Sequence, residues 1–101
     1  MNSINLITQY FKVINSKNIE VKQKEIDYVL KTNCNNRFFN KIYLLLEKDY
    51  DLYFLSEDEK YKIVKIIIGK RLTYQDAFNV YNKYGWIEMK KVVYDINFIM
   101  Y

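Results

Sequence analysis

The side chains that could do chemistry are few in this sequence, and they do not form a recognisable motif. Histidine is absent, so proton transfer near neutral pH would need a carboxylate, lysine, cysteine or tyrosine with a shifted pKa. A carboxylate pair could act as acid and base, but a solvated loop followed by a helix start explains all the acidic residues and is strongly preferred. We therefore expect no catalytic residues and no enzymatic activity. The clustered acids are Asp49, Asp51, Glu57, Asp58 and Glu59.

The sequence also offers few residues suited to binding a metal ion or a phosphate group. One cysteine without histidine cannot make a usual zinc site. The segment Asp49-Tyr50-Asp51 fails as a calcium loop, because Tyr53 and Phe54 stand where a third ligand and a glycine are needed. Gly69-Lys70-Arg71 lacks the glycines that precede the lysine of a phosphate-binding loop. We expect no metal ion and no cofactor.

The single cysteine, Cys34, is the remaining nucleophile. Arg37 lies three residues further on and would lower the thiol pKa, but no base completes a thiol-enzyme pair, so we expect a buried or incidental thiol. A lone cysteine forms no internal disulfide and favours a cytoplasmic location. No apolar run approaches the roughly 20 residues of a membrane-spanning helix, so we expect no membrane partner.

Positive charge is concentrated in the N-terminal half. The chain carries a net charge of +4, and residues 1–48 hold all of this excess. Residues 22–46 have the outline of a helix-turn-helix, with Arg37 to Leu46 as the recognition helix, although that helix is very apolar for a DNA groove. A solvated lysine-rich face is the simpler interpretation, and an acidic protein surface is another partner that it fits. The candidates for contact with an anionic partner or nucleic acid are Lys22, Lys24, Lys31, Arg37 and Lys41.

Aromatic residues form 18% of the chain and include eleven tyrosines. Tyrosine and tryptophan are enriched where proteins bind proteins, although these rings would also fill a core that is poor in leucine. The leading hypothesis is a non-catalytic protein-binding module, in its most specific form an inhibitor or adaptor encoded by a phage or plasmid and acting on a larger host or defence protein. The alternative is a nucleic-acid-binding regulator, and an apolar C-terminus leaves a homo-oligomer open. The predicted partner-binding face comprises Trp86, Ile87, Tyr94, Phe98 and Tyr101.

The absence of proline and the presence of only two glycines favour helices over turn-rich β folds. Apolar residues spaced three or four apart predict an all-α bundle of five or six short helices in one domain, residues 1–101. The capping-box pair of Ser56 and Glu59 predicts one helix start, and Thr73 predicts another. The predicted helices span about 3–14, 21–31, 37–46, 56–68, 73–84 and 86–100.

The segment from 49 to 68 admits a different interpretation. Residues 63–68 are rich in β-branched side chains, so a strand over 61–68, or a small hairpin at about 50–68, competes with the helix. The helix is preferred because Asp58, Lys62 and Lys65 share one polar stripe with a period near 3.6 residues.

Residues 72–95 resemble a small helical family of unknown function found in AT-rich Gram-positive bacteria. The resemblance rests on Tyr84-Gly85, the apolar pair Trp86-Ile87 and Tyr94-Asp95. It implies a helical fold and no particular chemistry. The predicted core comprises Phe38, Ile42, Leu45, Ile63, Ile67, Phe78, Tyr81, Val93 and Ile96.

Overall fold

Strands and helices alternate along the chain in the computed structural model, which describes residues 4–13, 17–84 and 92–95, the last stretch as backbone. Within these residues, four strands are separated by two long helices and one single-turn helix. The elements are β1 (Ile4–Tyr10), α1 (Ile19–Cys34), β2 (Phe39–Leu46), α2 (Glu57–Lys60), β3 (Ile63–Ile67), α3 (Tyr74–Tyr84) and β4 (Val92–Asp95).

The four strands form one parallel sheet in the order β3-β2-β1-β4. In this register Ile7 lies beside Tyr43 of β2, and Thr8 of the same strand lies beside Asp95 of β4. All carboxyl ends therefore meet at one edge of the sheet, which we call the carboxyl edge, and all amino ends meet at the opposite one, the amino edge.

Strand β2 is central because it is apolar on both faces. Its five consecutive residues from Ile42 to Leu46 are each at most 1% exposed. Parallel strands covered by helices on both sides read as such continuous apolar runs, without alternation of polar and apolar residues. This burial explains why so short a chain has a well-defined sheet.

The two faces of the sheet carry separate cores. On one face Leu30 and Cys34 of α1 pack with Leu6, Ile42 and Leu44. The opposite face is covered by α3 and the segment that precedes it. Its buried residues are Ile7, Tyr43, Leu45, Leu72, Ala77 and Val80. Helices α1 and α3 therefore lie on opposite sides of the sheet.

Two local features fix element ends. At the start of α3, the main-chain N–H of Thr73 donates to the Asp76 carboxylate at 2.8 Å and its hydroxyl donates at 3.0 Å. In β1 the register shifts between Ile4 and Leu6, and the Asn5 side chain there accepts the main-chain N–H of Lys41 at 3.1 Å. Side chains thus replace the backbone partners that the helix end and the irregular ladder lack.

The all-α prediction is wrong. The predicted first and third helices are β1 and β2, and the strand alternative for part of 61–68 is the correct one, since β3 spans Ile63–Ile67. The hairpin alternative is also wrong, because residues 50–68, all of which are described, contain one strand, β3, whose partner is β2 in a parallel arrangement. Part of the predicted last helix is β4, Val92–Asp95, and the remainder of that prediction lies outside the described residues.

Other predictions are confirmed. Helices occupy Ile19–Cys34 and Tyr74–Tyr84, close to the predicted second and fifth helices, and the capping box of Ser56 and Glu59 is present. The predicted core is correct for Ile42 and Leu45 and partly correct for Ile63 and Tyr81. It is wrong for three side chains that are more than half exposed, Phe38, Ile67 and Phe78. The side chain of Val93 and the whole of Ile96 lie outside the description.

Candidate functional site

The strand order places a topological switch between β1 and β4. The connection that leaves β1 contains α1, on one face of the sheet, whereas the connection that reaches β4 contains α3, on the other face. In open parallel sheets of this kind, ligands bind outside the carboxyl ends of the strands at the switch. The carboxyl end of β1 is therefore the place to look for a site.

A hydrogen-bond network joins that end of β1 to α1. The Tyr10 hydroxyl donates to the Asp27 carboxylate at 2.6 Å. The Gln23 amide group donates to Asp27 at 3.0 Å and to the Tyr10 oxygen at 3.1 Å, and its carbonyl oxygen accepts the main-chain N–H of Val13 at 2.7 Å. Gln23 also lies 3.3 Å from the carbonyl oxygen of Phe11. This network holds the chain beyond β1 against the helix.

Tyr10 is fully buried, and its titration reflects this. Burial raises the pKa of its hydroxyl far above the ordinary value, and the hydrogen bond to Asp27 and the charge of that carboxylate raise it further. Tyr10 therefore stays protonated at physiological pH and acts as a hydrogen-bond donor. It is not available as a general base.

Lys12 follows β1 and lies among aromatic rings. Its ammonium nitrogen is 5.6 Å from the centroid of the Tyr10 ring and 5.6 Å from that of the Tyr53 ring, within the range of cation–π attraction. Among the side chains that the structure describes, no carboxylate forms an ion pair with Lys12. The end of β1 thus presents a positive charge that these neighbours leave uncompensated.

The loop after β2 supplies the aromatic wall. Phe54 stacks on Tyr10 with 5.8 Å between ring centroids, and Tyr50 meets Tyr10 edge-on at 6.0 Å. Tyr53 contacts Phe54 edge-on at 6.1 Å and is 72% exposed. We call Tyr10, Lys12, Tyr50, Tyr53 and Phe54 the carboxyl-edge cluster. It combines the positive charge of Lys12 with the exposed ring of Tyr53.

The titration of Tyr50 agrees with this packing. Burial raises its pKa, the charge of Glu47 raises it further, and a hydrogen bond with the main chain of Lys12 acts in the opposite direction. Tyr50 therefore remains neutral near physiological pH. The carboxyl-edge cluster offers binding groups, a cation, rings and hydroxyls, and it holds no activated nucleophile.

A second polar network lies at the C-terminal end of α1. Glu59 of α2 is buried, and its carboxylate accepts from Lys31 at 2.8 Å, from the Asn35 amide and from the Ser56 main-chain N–H at 2.7 Å. The hydrogen bond from Lys31 is the largest cause of the low pKa of Glu59, which is about 2. The hydrogen bonds from Ser56 and Asn35 lower it further. We call Lys31, Asn35, Ser56 and Glu59 the capping network. Its charges are already paired.

The predicted reactive groups do not come together. Burial raises the pKa of the Cys34 thiol to about 11, and the charge of Glu59 contributes, so the prediction of a buried thiol is confirmed. Asp49 pairs with Lys65 at 3.0 Å and Glu57 with Lys60 at 3.8 Å. The acidic residues are therefore scattered over a loop and a helix start. Among the described residues, no group of three or more acidic or cysteine side chains is arranged to hold a metal ion.

The predicted basic residues are spread over several elements. Lys22, Lys24 and Lys31 lie on α1, and Lys31 is engaged by Glu59. Arg37 precedes β2, with its guanidinium 5.6 Å from the Phe38 ring, and Lys41 is an exposed residue of β2. The predicted recognition helix is a strand, so the helix-turn-helix interpretation is wrong.

The predicted aromatic face falls mostly beyond the described part of the chain. Tyr94 belongs to β4, where only the backbone is described. Contact by this face therefore stays a prediction, as does the resemblance of residues 72–95. Outside the described residues lie Trp86, Ile87, Phe98 and Tyr101.

The site residues predicted from the sequence do not include Tyr10, Lys12, Gln23 or Tyr53. The signal that could have found them is the succession of apolar runs ending in polar segments, with a helix between the first two, which is typical of a parallel sheet.

Within the described residues, no helix is long and apolar enough to cross a membrane. Comparisons with models of known families, with curated proteins and with solved structures found no match for this chain.

Proposed function

We propose that this chain binds a small anionic ligand that carries an aromatic ring, at the carboxyl edge of its sheet. One observation supports this proposal above the others. Lys12, without a carboxylate partner among the described side chains, lies beside the exposed Tyr53 ring at the carboxyl end of β1, which is one of the two strands that border the topological switch. A nucleotide is the simplest molecule that meets both groups.

The roles follow from the geometry. The Lys12 ammonium attracts the anionic group of the ligand. Tyr53 offers an open face for the ring of the ligand, since aromatic stacking accepts any base. Gln23 and Asp27 bind the buried Tyr10 hydroxyl and so fix the position from which Lys12 emerges. These groups bind a ligand and supply no reacting atom, so the proposed activity is binding alone.

Equilibrium dialysis with four nucleoside diphosphates, their nucleosides and inorganic phosphate tests the proposal. Diphosphates should bind more tightly than either part alone. Lys12→Gln should lower the affinity by about tenfold or more, as expected for loss of a hydrogen bond to a charged group, and Tyr53→Ala by about tenfold through lost stacking. Lys24→Gln, an exposed lysine on α1, is the matched control. Absence of binding at millimolar concentration, or an unchanged affinity in Lys12→Gln, contradicts the proposal.

A second proposal is that the chain is a protein-binding module, the hypothesis from its composition, with the cytoplasm as the proposed setting. The observation that favours it is the outer edge of β3, which no described strand covers. Chemical cross-linking of a cell extract with the intact chain should recover a defined partner. Recovery that survives Tyr94→Ala and Tyr101→Ala would remove the aromatic face as the contact, and failure to recover any partner counts against protein binding.

A further inference from the structure

The carboxylate of Asp27 uses only one of its two oxygens within the described part of the protein. Its Oδ1 atom accepts the Tyr10 hydroxyl at 2.6 Å and the Gln23 side-chain amide at 3.0 Å. Its Oδ2 atom accepts no hydrogen bond from a described residue, and no described lysine or arginine forms an ion pair with it. Since no buried side-chain oxygen among these residues lacks a partner, Oδ2 faces solvent. A negatively charged acceptor is therefore held in a fixed orientation with one oxygen open.

This open oxygen lies in the same region as Lys12 and Tyr53, because all three residues surround Tyr10. Lys12 is 5.6 Å from the centroid of the Tyr10 ring, and Asp27 binds the Tyr10 hydroxyl. Burial is the main cause of the raised pKa of that hydroxyl, and Tyr53 is close enough to raise the pKa further. Tyr53 also lies 5.6 Å from the Lys12 ammonium. An exposed ring, a cation and an open carboxylate oxygen thus border one small part of the surface.

Lys12 and Asp27 carry opposite charges, but no ion pair joins them. An anionic group of a ligand is attracted to Lys12 and repelled by Asp27, because Coulomb energy changes sign with the charge. The open oxygen of Asp27 instead accepts a hydrogen-bond donor. A ligand that satisfies both residues therefore carries an anionic group and, at another position, a hydroxyl or amino group.

The other carboxylates near the loop after β2 do not offer the same acceptor. Asp49 is paired with Lys65 at 3.0 Å. The charge of Glu47 raises the pKa of Tyr50, second to burial, and Glu47 has an interaction of its own. These carboxylates add to the repulsion of anions on their side of the cluster, which leaves Lys12 as the position for the anionic group.

We infer that Oδ2 of Asp27 accepts a ribose hydroxyl of the ligand, so that the carboxyl-edge cluster binds ribonucleotides in preference to deoxyribonucleotides. This role of Asp27 rests on the proposed function and names the class of nucleotide. The base lies on Tyr53 and the phosphates lie at Lys12. The sugar joins base to phosphates, and its hydroxyl groups are the donors that reach Asp27. An acidic side chain binds ribose in the same way in dinucleotide-binding parallel sheets.

Ligand analogues test this role without altering the protein. Equilibrium dialysis of the intact chain compares adenosine diphosphate with its 2′-deoxy, 3′-deoxy, 2′-fluoro and 3′-fluoro analogues. Loss of the hydroxyl that binds Asp27 should lower the affinity about tenfold or more, as expected for a hydrogen bond to a charged group. The fluoro analogue at the same position should be equally weak, because fluorine cannot donate to a carboxylate. Full affinity of both deoxy analogues overturns the role of Asp27.

Asp27→Asn tests the same contact from the side of the protein. The amide oxygen should take the Oδ1 position, because Tyr10 and Gln23 both donate there, so an NH₂ group replaces Oδ2. The preference for the ribonucleotide should fall about fivefold, since a neutral hydrogen bond replaces a charged one. The affinity for inorganic phosphate should not fall, because a negative charge has been removed. Glu25→Gln, exposed on the same helix, is the matched control and should keep the preference.

The phosphate measurement separates recognition of the sugar from a structural effect. A variant that only disturbed Tyr10 and Lys12 would lose affinity for phosphate, ribonucleotide and deoxyribonucleotide alike, and that result overturns the role of Asp27. Circular dichroism verifies folding. The ligand analogues decide the question with the wild-type chain if Asp27→Asn does not fold. Free tryptophan is the competing ligand, because it also carries a ring, an anionic group and a donor.

The outcomes distinguish the role of Asp27 from nucleotide binding itself. Equal affinity for ribonucleotide and deoxyribonucleotides, with both weakened by Lys12→Gln, overturns the role of Asp27 and leaves nucleotide binding in place. An unchanged preference in folded Asp27→Asn has the same meaning. Tryptophan binding as tightly as the ribonucleotide also overturns the recognition of ribose. Absence of binding by every nucleotide at millimolar concentration removes both proposals.

Discussion

The two polar groupings around α1 differ in whether their interactions are complete. In the capping network every charge meets a partner, since the Glu59 carboxylate receives Lys31, Asn35 and Ser56. In the carboxyl-edge cluster the Tyr10 hydroxyl is satisfied by Asp27, but Lys12 has two tyrosine rings within cation–π range and no carboxylate partner among the described side chains. The first arrangement fastens α2 to α1.

This difference separates a stabilising site from a binding site. A charged group that is fully paired within the protein has little capacity left to bind a ligand. A cation whose contacts are with aromatic rings can still bind an anion. The buried part of the carboxyl-edge cluster should therefore contribute to folding, while its exposed part contributes to binding. The substitutions below separate the two contributions.

The largest effect is expected from Tyr10→Ala. The ring is fully buried and packs on Phe54 and Tyr50, so its removal should lower the free energy of unfolding by about 3–5 kcal/mol. Tyr53→Ala removes an exposed tyrosine of the same cluster and should change stability by no more than about 0.5 kcal/mol. Urea denaturation followed by circular dichroism measures both. Equal losses in the two variants would show that the cluster does not divide into a buried and an exposed part.

A smaller effect is expected from Asp27→Ala. This change leaves the buried Tyr10 hydroxyl without its acceptor, which should destabilise the fold by about 1–3 kcal/mol. Tyr10→Phe removes the hydroxyl and therefore its need for a hydrogen-bond acceptor. Adding this change to Asp27→Ala should recover part of the lost stability. The double-mutant cycle, measured by urea denaturation, fails to support the network if the two changes are additive.

Glu59→Gln should show a smaller and pH-dependent effect. Folding lowers the pKa of this carboxyl from 4.5 to about 2, mainly through Lys31. A lowered pKa stabilises the folded state above the unfolded pKa, so the contribution is present above about pH 4.5 and is lost as the pH falls towards 2. Urea midpoints of wild type and Glu59→Gln should converge over that interval. Glu57→Gln, whose side chain is 94% exposed, should show no such convergence.

The smallest effect is expected from Lys24→Gln on the exposed face of α1. No described carboxylate forms an ion pair with Lys24, so stability should stay within about 0.5 kcal/mol of wild type. Thermal denaturation measures it. A larger loss would mean that the outer face of α1 carries interactions comparable with those of the capping network.

Local patterns in the sequence predicted the helices that have one side exposed to solvent and one side buried. Helix α3 has polar and apolar sides, and its start is marked by Thr73 and Asp76. The capping box of Ser56 and Glu59 depends on two residues three apart, so it was visible as well. These features could be predicted because residues close together in the sequence form them.

The sheet was not predictable in the same way. Strands buried on both faces lack the alternation that identifies a strand, and the apolar positions Ile4, Ile7 and Tyr10 of β1 also fit a helical period. In β2 five consecutive apolar residues read as a buried helix. The carboxyl-edge cluster depends on contacts across the fold, such as that of Tyr10 with Asp27, 17 residues apart. Such contacts follow from strand order, which the wrong assignment of β1 and β2 concealed.

The burial of Cys34 gives this chain an internal reporter of local opening. The thiol is 3% exposed, lies between α1 and the sheet, and is the only cysteine. A thiol reagent can modify it only in molecules in which this packing has opened, so the labelling rate under native conditions reports the opening equilibrium multiplied by the intrinsic reaction rate. The dynamics of α1 against the sheet can therefore be followed without an engineered probe.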